Sequence, residues 1–165
     1  RAPPAPLLNV IRVAPTSVRA IGFSYFHGTV DLLGGWSPTG TFPILLALVQ
    51  ALAWQESGWQ QQVVSPIGAV GVMQVTPETG SWVADYLVGR PLDISGSVSD
   101  NILAGVAFLD WLIRRSGNLE LALAGYNQGP GSVARHGVLP ETRQFVANVL
   151  AIRDYILRNG TPSPS

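Results

Sequence analysis

Residues that begin and end helices recur along this chain and leave few segments that suit a β-strand. Prolines or capping side chains stand at Pro43, Thr76, Asn118 and Pro140, where a first helical turn can accept them. Between these points apolar residues recur every three or four positions, which is the period of a helix buried on one side. We therefore predict an all-α, mainly helical fold: a globular bundle of about six or seven helices with a substrate cleft.

The same prolines, glycines and capping residues predict where each helix begins and ends. Trp36 to Thr41 is predicted to be a loop, and the glycine-rich stretch from Asn127 to Gly131 is predicted to break the helical pattern. The predicted helices run from Thr16 to about Leu33, Pro43 to about Ser57, Pro77 to about Val88, near Ser99 to before Gly117, Asn118 through Gly125, and Pro140 to near Gly160.

Composition favours one domain. The chain has 165 residues, of which 47% are hydrophobic, enough for a buried core. We predict a Pro-rich linker or arm over residues 1–15, a single domain over residues 16–160 and a C-terminal tail over residues 161–165. The start lacks the basic-then-apolar pattern of a signal peptide, so we expect a mature form or an excised domain.

Several classes of function are excluded by composition. The chain has no cysteine, which excludes thiolate catalysis, disulfides and cysteine-bound zinc. The formal net charge is zero, which argues against a nucleic-acid partner. His27 and His136 lack partners at zinc spacing, so we predict no metal site. No apolar run is long enough to span a bilayer.

Glu56 is the first candidate for chemistry. It follows Leu52 by four residues and Val49 by seven, so its side chain continues the apolar face of the predicted helix. Burial penalises a charged carboxylate and raises its pKa, and a carboxylic acid that keeps its proton near neutral pH can protonate a leaving oxygen. The alternative is a glutamate at a helix end that forms a hydrogen bond in the core.

Three further motifs have an ordinary structural interpretation when each is taken alone. The stretch from Ser65 to Gln74, with Gly68 and Gly71, suits a cleft wall or a plain loop between helices. The stretch from Ala122 to Gly131 suits either a site containing Tyr126 and Asn127 or a helix C-cap. Pro140 to Arg143 is explained fully by a helix N-terminus.

In this order, however, the motifs resemble those of the soluble lytic transglycosylase domain of glycoside hydrolase family 23, which includes relatives of goose-type lysozyme. The resemblance covers roughly residues 43–158, and Asn101-Ile102 with Gly105 and Phe108-Leu109 also fits it. This sequence departs from the family pattern at Gly125, Gln128, Phe108 and Phe145, and the change at Phe145 removes a hydroxyl group from one end of the cleft. The matching motifs are Glu56-Ser-Gly58, Ser65 to Gln74, Ala122 to Gly131 and Glu141-Thr-Arg143.

The resemblance implies a lysozyme-like bundle and a role for each matching residue. Glu56 would be the catalytic acid and then the base, and Tyr126 would hold its carboxyl group. Asn127 would contact the substrate, and Glu141 would be an acid at the edge of the cleft. The residues implied to line the sugar-binding cleft are Ser65, Gly71, Met73 and Gln74.

The implied activity is that of a bacterial peptidoglycan lytic transglycosylase, secreted or in the cell envelope. It would cleave the β-1,4 bond between N-acetylmuramic acid and N-acetylglucosamine without water, leaving 1,6-anhydro ends. No cofactor is implied, and no second acid lies near Glu56 in the sequence. The alternatives are a hydrolytic muramidase of lysozyme type, a non-catalytic peptidoglycan-binding module and a generic helical interaction domain. The oligomeric state stays open.

Overall fold

The computed structural model describes the backbone of residues 38–159 and the side chains of residues 46–159. The predicted arm over residues 1–15, the predicted helix from Thr16 to Leu33 and the tail over residues 161–165 lie outside the described residues.

The described chain is helical, as predicted. Isolated β-bridges join Val70 to Val64 and to Val75, and a π-helical turn, Ala84–Val88, extends the second helix. Residues 38–159 therefore form an all-α fold. Its six α-helices are α1 (Pro38–Ser57), α2 (Pro77–Val83), α3 (Val98–Ser116), α4 (Leu119–Gln128), α5 (Pro130–His136) and α6 (Pro140–Asn159).

Capping side chains begin the middle helices. The Thr76 hydroxyl accepts the backbone N–H of Thr79, and the Asn118 side-chain oxygen accepts that of Leu121. Each bond satisfies an N–H that has no partner within its own helix. At the other end of α3, Gly117 adopts a left-handed φ of 63° and stops the helix. The predicted caps at Thr76 and Asn118 are confirmed.

Two predicted helix ends are wrong. The first helix begins at Pro38 rather than Pro43, so the predicted loop from Trp36 to Thr41 is helical from Pro38 onward. Proline suits the first turn at either position, and the local sequence does not distinguish the two. The fourth helix continues to Gln128 rather than ending at Gly125, because the chain leaves helical geometry only at Gly129.

Helix α5 was not predicted, because its proline and glycines were interpreted as a break. Gly129 does end α4, but Pro130 then occupies the first turn of a new short helix. The Gln128 side chain stabilises this turn, since its amide nitrogen donates to the Gly137 carbonyl and its oxygen accepts the N–H of Leu139. These bonds join α4 and α5 into a helical hairpin, which no local sequence pattern predicted.

The core lies between two pairs of helices. Helix α1 packs along α6, and α3 packs along α4. The predicted apolar stripes are buried on α1 at Leu48, Val49 and Leu52, on α3 at Ile102, Val106 and Leu109, and on α6 at Phe145 and Val149. None of the helices within residues 38–159 combines the length and the hydropathy that crossing a membrane requires.

Candidate active site

Glu56 lies in the last turn of α1 and is partly buried. The residues one and two turns before it, Leu52 and Val49, are in the core, so the carboxyl group continues a buried face. Burial raises the pKa of Glu56 from 4.5 to about 8. The predicted burial and the predicted direction of the pKa shift are confirmed. This carboxyl group holds its proton at neutral pH.

The chain leaves α1 after Ser57, the residue that follows Glu56, and hydrogen bonds fix its path there. Gly58 and Trp59 both have positive φ, 59° and 67°, which ends the helix. The Ser57 hydroxyl donates to the Val72 carbonyl at 2.8 Å and accepts the N–H of Gln60 at 3.1 Å. The residue next to Glu56 therefore ties α1 to the loop that follows it.

We expect Ser57→Ala to lower the free energy of unfolding by about 1–3 kcal/mol, because the Val72 carbonyl and the Gln60 N–H lose a buried partner. Chemical denaturation measures the change. The matched control is Ser81→Ala at an exposed serine, which we expect to cost less than about 0.5 kcal/mol. Equal stability of the two variants would contradict the assigned role of Ser57.

Asn101 braces the loop between α1 and α2. Its side chain has no exposed surface. Its oxygen accepts the N–H of Met73 at 2.8 Å, and its nitrogen donates to the carbonyls of Val70 at 2.8 Å and Ile94 at 2.9 Å. The Gln61 amide also bonds to Val72 and Ile94. The loop is thereby attached to the start of α3.

Two of the residues implied to line the cleft are buried in this structure. Met73 is 0% exposed, and its side chain belongs to the core. Gly71 has a φ of 78°, and a β-carbon there would lie 2.7 Å from Cγ of Asn101. Glycine is therefore needed at position 71 for backbone geometry and space. Both residues therefore stabilise the conformation of the loop from its buried side.

Ser65 and Gln74 are partly exposed on the same loop. The Ser65 hydroxyl accepts the N–H of Ala69 at 3.0 Å. Gln74 adopts a left-handed φ of 48°, which is uncommon outside glycine. Its amide nitrogen donates to the carbonyls of Val63 and Gly71 at 3.1 and 2.9 Å, which supports this conformation.

Tyr126 lies near the end of α4 and close to Glu56. Its hydroxyl donates to the Met73 carbonyl at 2.9 Å. A phenol has one hydrogen to donate, so the hydrogen bond that was predicted to run from Tyr126 to Glu56 goes to Met73 instead. Burial, with a smaller contribution from the Glu56 carboxylate, raises the pKa of Tyr126 well above 10. Tyr126 therefore stays neutral beside the acid.

Asn127 and Glu141 lie on exposed surface where the end of α4 meets the start of α6. The Asn127 side-chain oxygen accepts the hydroxyl of Thr142 at 3.3 Å, which joins the two helices. Phe145, one turn after Glu141, is buried. Asn127 and Glu141 are therefore neighbours on one polar edge.

Sequence reasoning did not assign a site role to Ser57, Gln61 or Asn101, the three residues that hold the loop. The available signal was in α3, where a polar residue, Asn101, and a glycine, Gly105, lie one turn apart on a buried face. A glycine on a buried helix face permits another segment to approach closely, and a buried asparagine needs polar partners there. The partners of that face, however, come from a distant loop.

Two surface hollows lie apart from these residues. One, of about 480 Å³, lies between α4 and α6 beside Leu121 and Arg143, and the other, of about 390 Å³, lies beside Asp85 and Leu92. None of the predicted site residues lines either hollow. Within residues 38–159, no group of three or more histidine, aspartate and glutamate side chains could hold a metal ion.

Solved structures of similar fold define the class of this domain. The 70-kDa soluble lytic transglycosylase of Escherichia coli matches with a TM-score of 0.64 and 27% identity, over 88% of this chain and 25% of that one. The complex of the 70-kDa soluble lytic transglycosylase with bulgecin A matches with a TM-score of 0.69 and 25% identity, over 91% of this chain and 25% of that one. The fold is thus that of a helical, lysozyme-like domain.

A family match then identifies the chain. Residues 38–146 match the family model described as the transglycosylase SLT domain, and the chain belongs to that family. It is 34% identical over 125 residues to the soluble lytic murein transglycosylase of Escherichia coli K12, covering 64% of this chain. It is 37% identical over 93 residues to the membrane-bound lytic murein transglycosylase F of Thiobacillus denitrificans, covering 51% of this chain. The chain spans 19% and 18% of the lengths of these relatives.

Proposed function

We propose that this domain cleaves the glycan strands of peptidoglycan as a lytic transglycosylase, with Glu56 as the single acid and base. The observation that carries the proposal is the partly buried carboxyl group of Glu56, whose pKa of about 8 keeps it protonated at neutral pH. The names of its relatives, lytic murein transglycosylases, support the choice of substrate. A bacterial cell-envelope location follows from that substrate.

The first step breaks the β-1,4 bond between N-acetylmuramic acid and N-acetylglucosamine. Glu56 donates its proton to the bridging oxygen, which leaves with N-acetylglucosamine. The 2-acetamido group of N-acetylmuramic acid stabilises the cationic centre that remains, as in other substrate-assisted enzymes. The glutamate is now a carboxylate.

The second step closes a ring and restores the acid. The Glu56 carboxylate removes the proton from the 6-hydroxyl of N-acetylmuramic acid, and that oxygen bonds to the anomeric carbon. The product is a 1,6-anhydro end, no water is consumed, and Glu56 is protonated again. The whole sequence requires no metal or cofactor.

The neighbouring residues suit this chemistry in two ways. Because Tyr126 donates its one hydrogen to the Met73 carbonyl, its oxygen is left as an acceptor, and we assign to it a hydrogen bond from a protonated Glu56. Ser65, Gln74, Asn127 and Glu141 keep exposed polar surface, and we assign them to contacts with sugar hydroxyl and amide groups. Gly71 and Met73 support the site from within the loop.

We expect the fragments released from purified peptidoglycan to carry anhydro ends, one water lighter than hydrolysed ends. Mass spectrometry of reactions in water enriched in heavy oxygen measures this directly. Transglycosylation leaves the new ends unlabelled, because the 6-hydroxyl of the sugar itself closes the ring. Labelled, heavier ends would identify a hydrolytic muramidase. Binding without released fragments would identify a non-catalytic module.

A further inference from the structure

Gly105 lies where α3 meets both α4 and the loop after α1, since Tyr126 and Met73 are its nearest neighbours. It is buried in the middle of α3, one turn after Asn101 and on the same face. A β-carbon at this position would lie 2.5 Å from Cβ of Met73, 2.7 Å from the Tyr126 hydroxyl oxygen and 2.8 Å from Cγ of Met73. Ordinary contacts between such atoms are about 3.5–4.0 Å. No residue other than glycine fits here without displacing a neighbour.

The atoms that a side chain at position 105 would displace belong to one connected group. The Asn101 side chain accepts a hydrogen bond from the backbone N–H of Met73, and the Tyr126 hydroxyl donates to the carbonyl of the same residue at 2.9 Å. The Tyr126 ring also packs on Phe108, with 5.5 Å between ring centroids. The Tyr126 side chain crosses α3 at Gly105 to reach Met73. Among the helical glycines within residues 38–159, only Gly105 has the Tyr126 hydroxyl among its nearest neighbours.

We propose that Gly105 is a positioning residue for the reaction. Because it has no side chain, the Tyr126 hydroxyl can reach the Met73 carbonyl. This hydrogen bond fixes the positions of Tyr126 and the loop relative to Glu56. The inference rests on the proposed function, because Glu56 must be the reacting acid. Gly105 itself contacts no substrate. Its contribution is to keep the Tyr126 oxygen in a position where it can accept a hydrogen bond from a protonated Glu56.

The test is a double-mutant cycle of wild type, Gly105→Ala, Tyr126→Phe and the double variant. We expect Gly105→Ala to lower kcat on soluble peptidoglycan strands by about 10- to 100-fold with little change in KM, because the reacting groups move while the outer sugar contacts remain. In the Tyr126→Phe background the hydroxyl is absent, so the same substitution should lower kcat at least about threefold less. The contact with Met73 is present in both backgrounds and cancels in the comparison.

Gly125→Ala is the matched control. Gly125 is also a buried helical glycine, but the nearest atom to a new β-carbon is a methyl group of Leu112 at 3.1 Å, at the flexible end of a side chain. We expect its kcat to stay within about twofold of wild type. If Gly105→Ala matches this control, or lowers kcat equally in both backgrounds, the proposal is wrong.

Folding provides the second measurement. If Gly105→Ala fails to fold alone but folds in the Tyr126→Phe background, the contact with the hydroxyl is confirmed. Failure in both backgrounds would mean that Gly105 serves packing against Met73 and would overturn the proposal. The proposed function is tested separately: an inactive wild type refutes it, whereas an active wild type with an equally active Gly105→Ala refutes only the role of Gly105.

Discussion

Glu56→Gln is expected to lower glycan cleavage by more than about 10³-fold while leaving the fold intact, because the amide has no acidic proton to donate to the leaving oxygen. Glutamine has nearly the shape of a protonated glutamate, so the partly buried position accepts it without a cavity or a new charge. Clearing of a peptidoglycan suspension measures the rate, and circular dichroism checks the fold.

The matched control for this substitution is Glu78→Gln. It makes the same chemical change at an exposed glutamate in the first turn of α2. We expect its activity to remain within about twofold of wild type, because exposed substitutions seldom disturb a fold. A Glu56→Gln protein that clears peptidoglycan as fast as this control would remove Glu56 from the mechanism.

The same substitution is expected to stabilise the protein at alkaline pH. In the unfolded chain Glu56 loses its proton near pH 4.5, whereas in the folded protein its pKa is about 8. Between these values the folded state binds more protons than the unfolded state, so the contribution of Glu56 to stability falls as the pH rises. Glutamine carries no charge and avoids this loss.

Glu56→Gln and wild type should therefore have similar unfolding free energies near pH 4 and diverge up to about pH 8. Above that pH the variant should be more stable by at most about 5 kcal/mol, the equivalent of the full pKa shift. Urea denaturation across this range measures the difference, and titrations shared by both proteins cancel. A constant difference between Glu56→Gln and wild type would show that Glu56 is not held in its neutral form.

Within residues 38–159, local patterns predicted most of the helices correctly. The caps at Thr76 and Asn118, and the helices over residues 98–116 and 140–159, follow from interactions within one or two turns. The predictions failed where two local solutions are equally good. Pro38 and Pro43 both suit a first turn, and Gly129-Pro130 suits either a loop or the junction of two helices.

In the candidate site, too, some features were predictable from local sequence and others were not. The position of Glu56 on a buried face follows from its spacing to Leu52 and Val49, so the direction of its pKa shift was predictable. The roles of Met73, Asn101 and Gly105 were not, because they depend on contacts between distant segments: Met73 lies 28 residues from Asn101 and 53 residues from Tyr126 in the chain. Periodicity identifies a buried face and cannot identify what covers it.

The sequence alone determined that the chain forms capped helices, that Glu56 is on the buried side of one of them, and that ordered motifs match one family. Each of these depends on spacing within a helix or on the order of residues. Only the tertiary structure decided that the Tyr126 hydroxyl bonds to Met73, and that Gly105 leaves room for that bond. The physical reason is that hydrogen bonds and close packing between distant segments depend on how α3, α4 and the loop meet, to within a few tenths of an ångström.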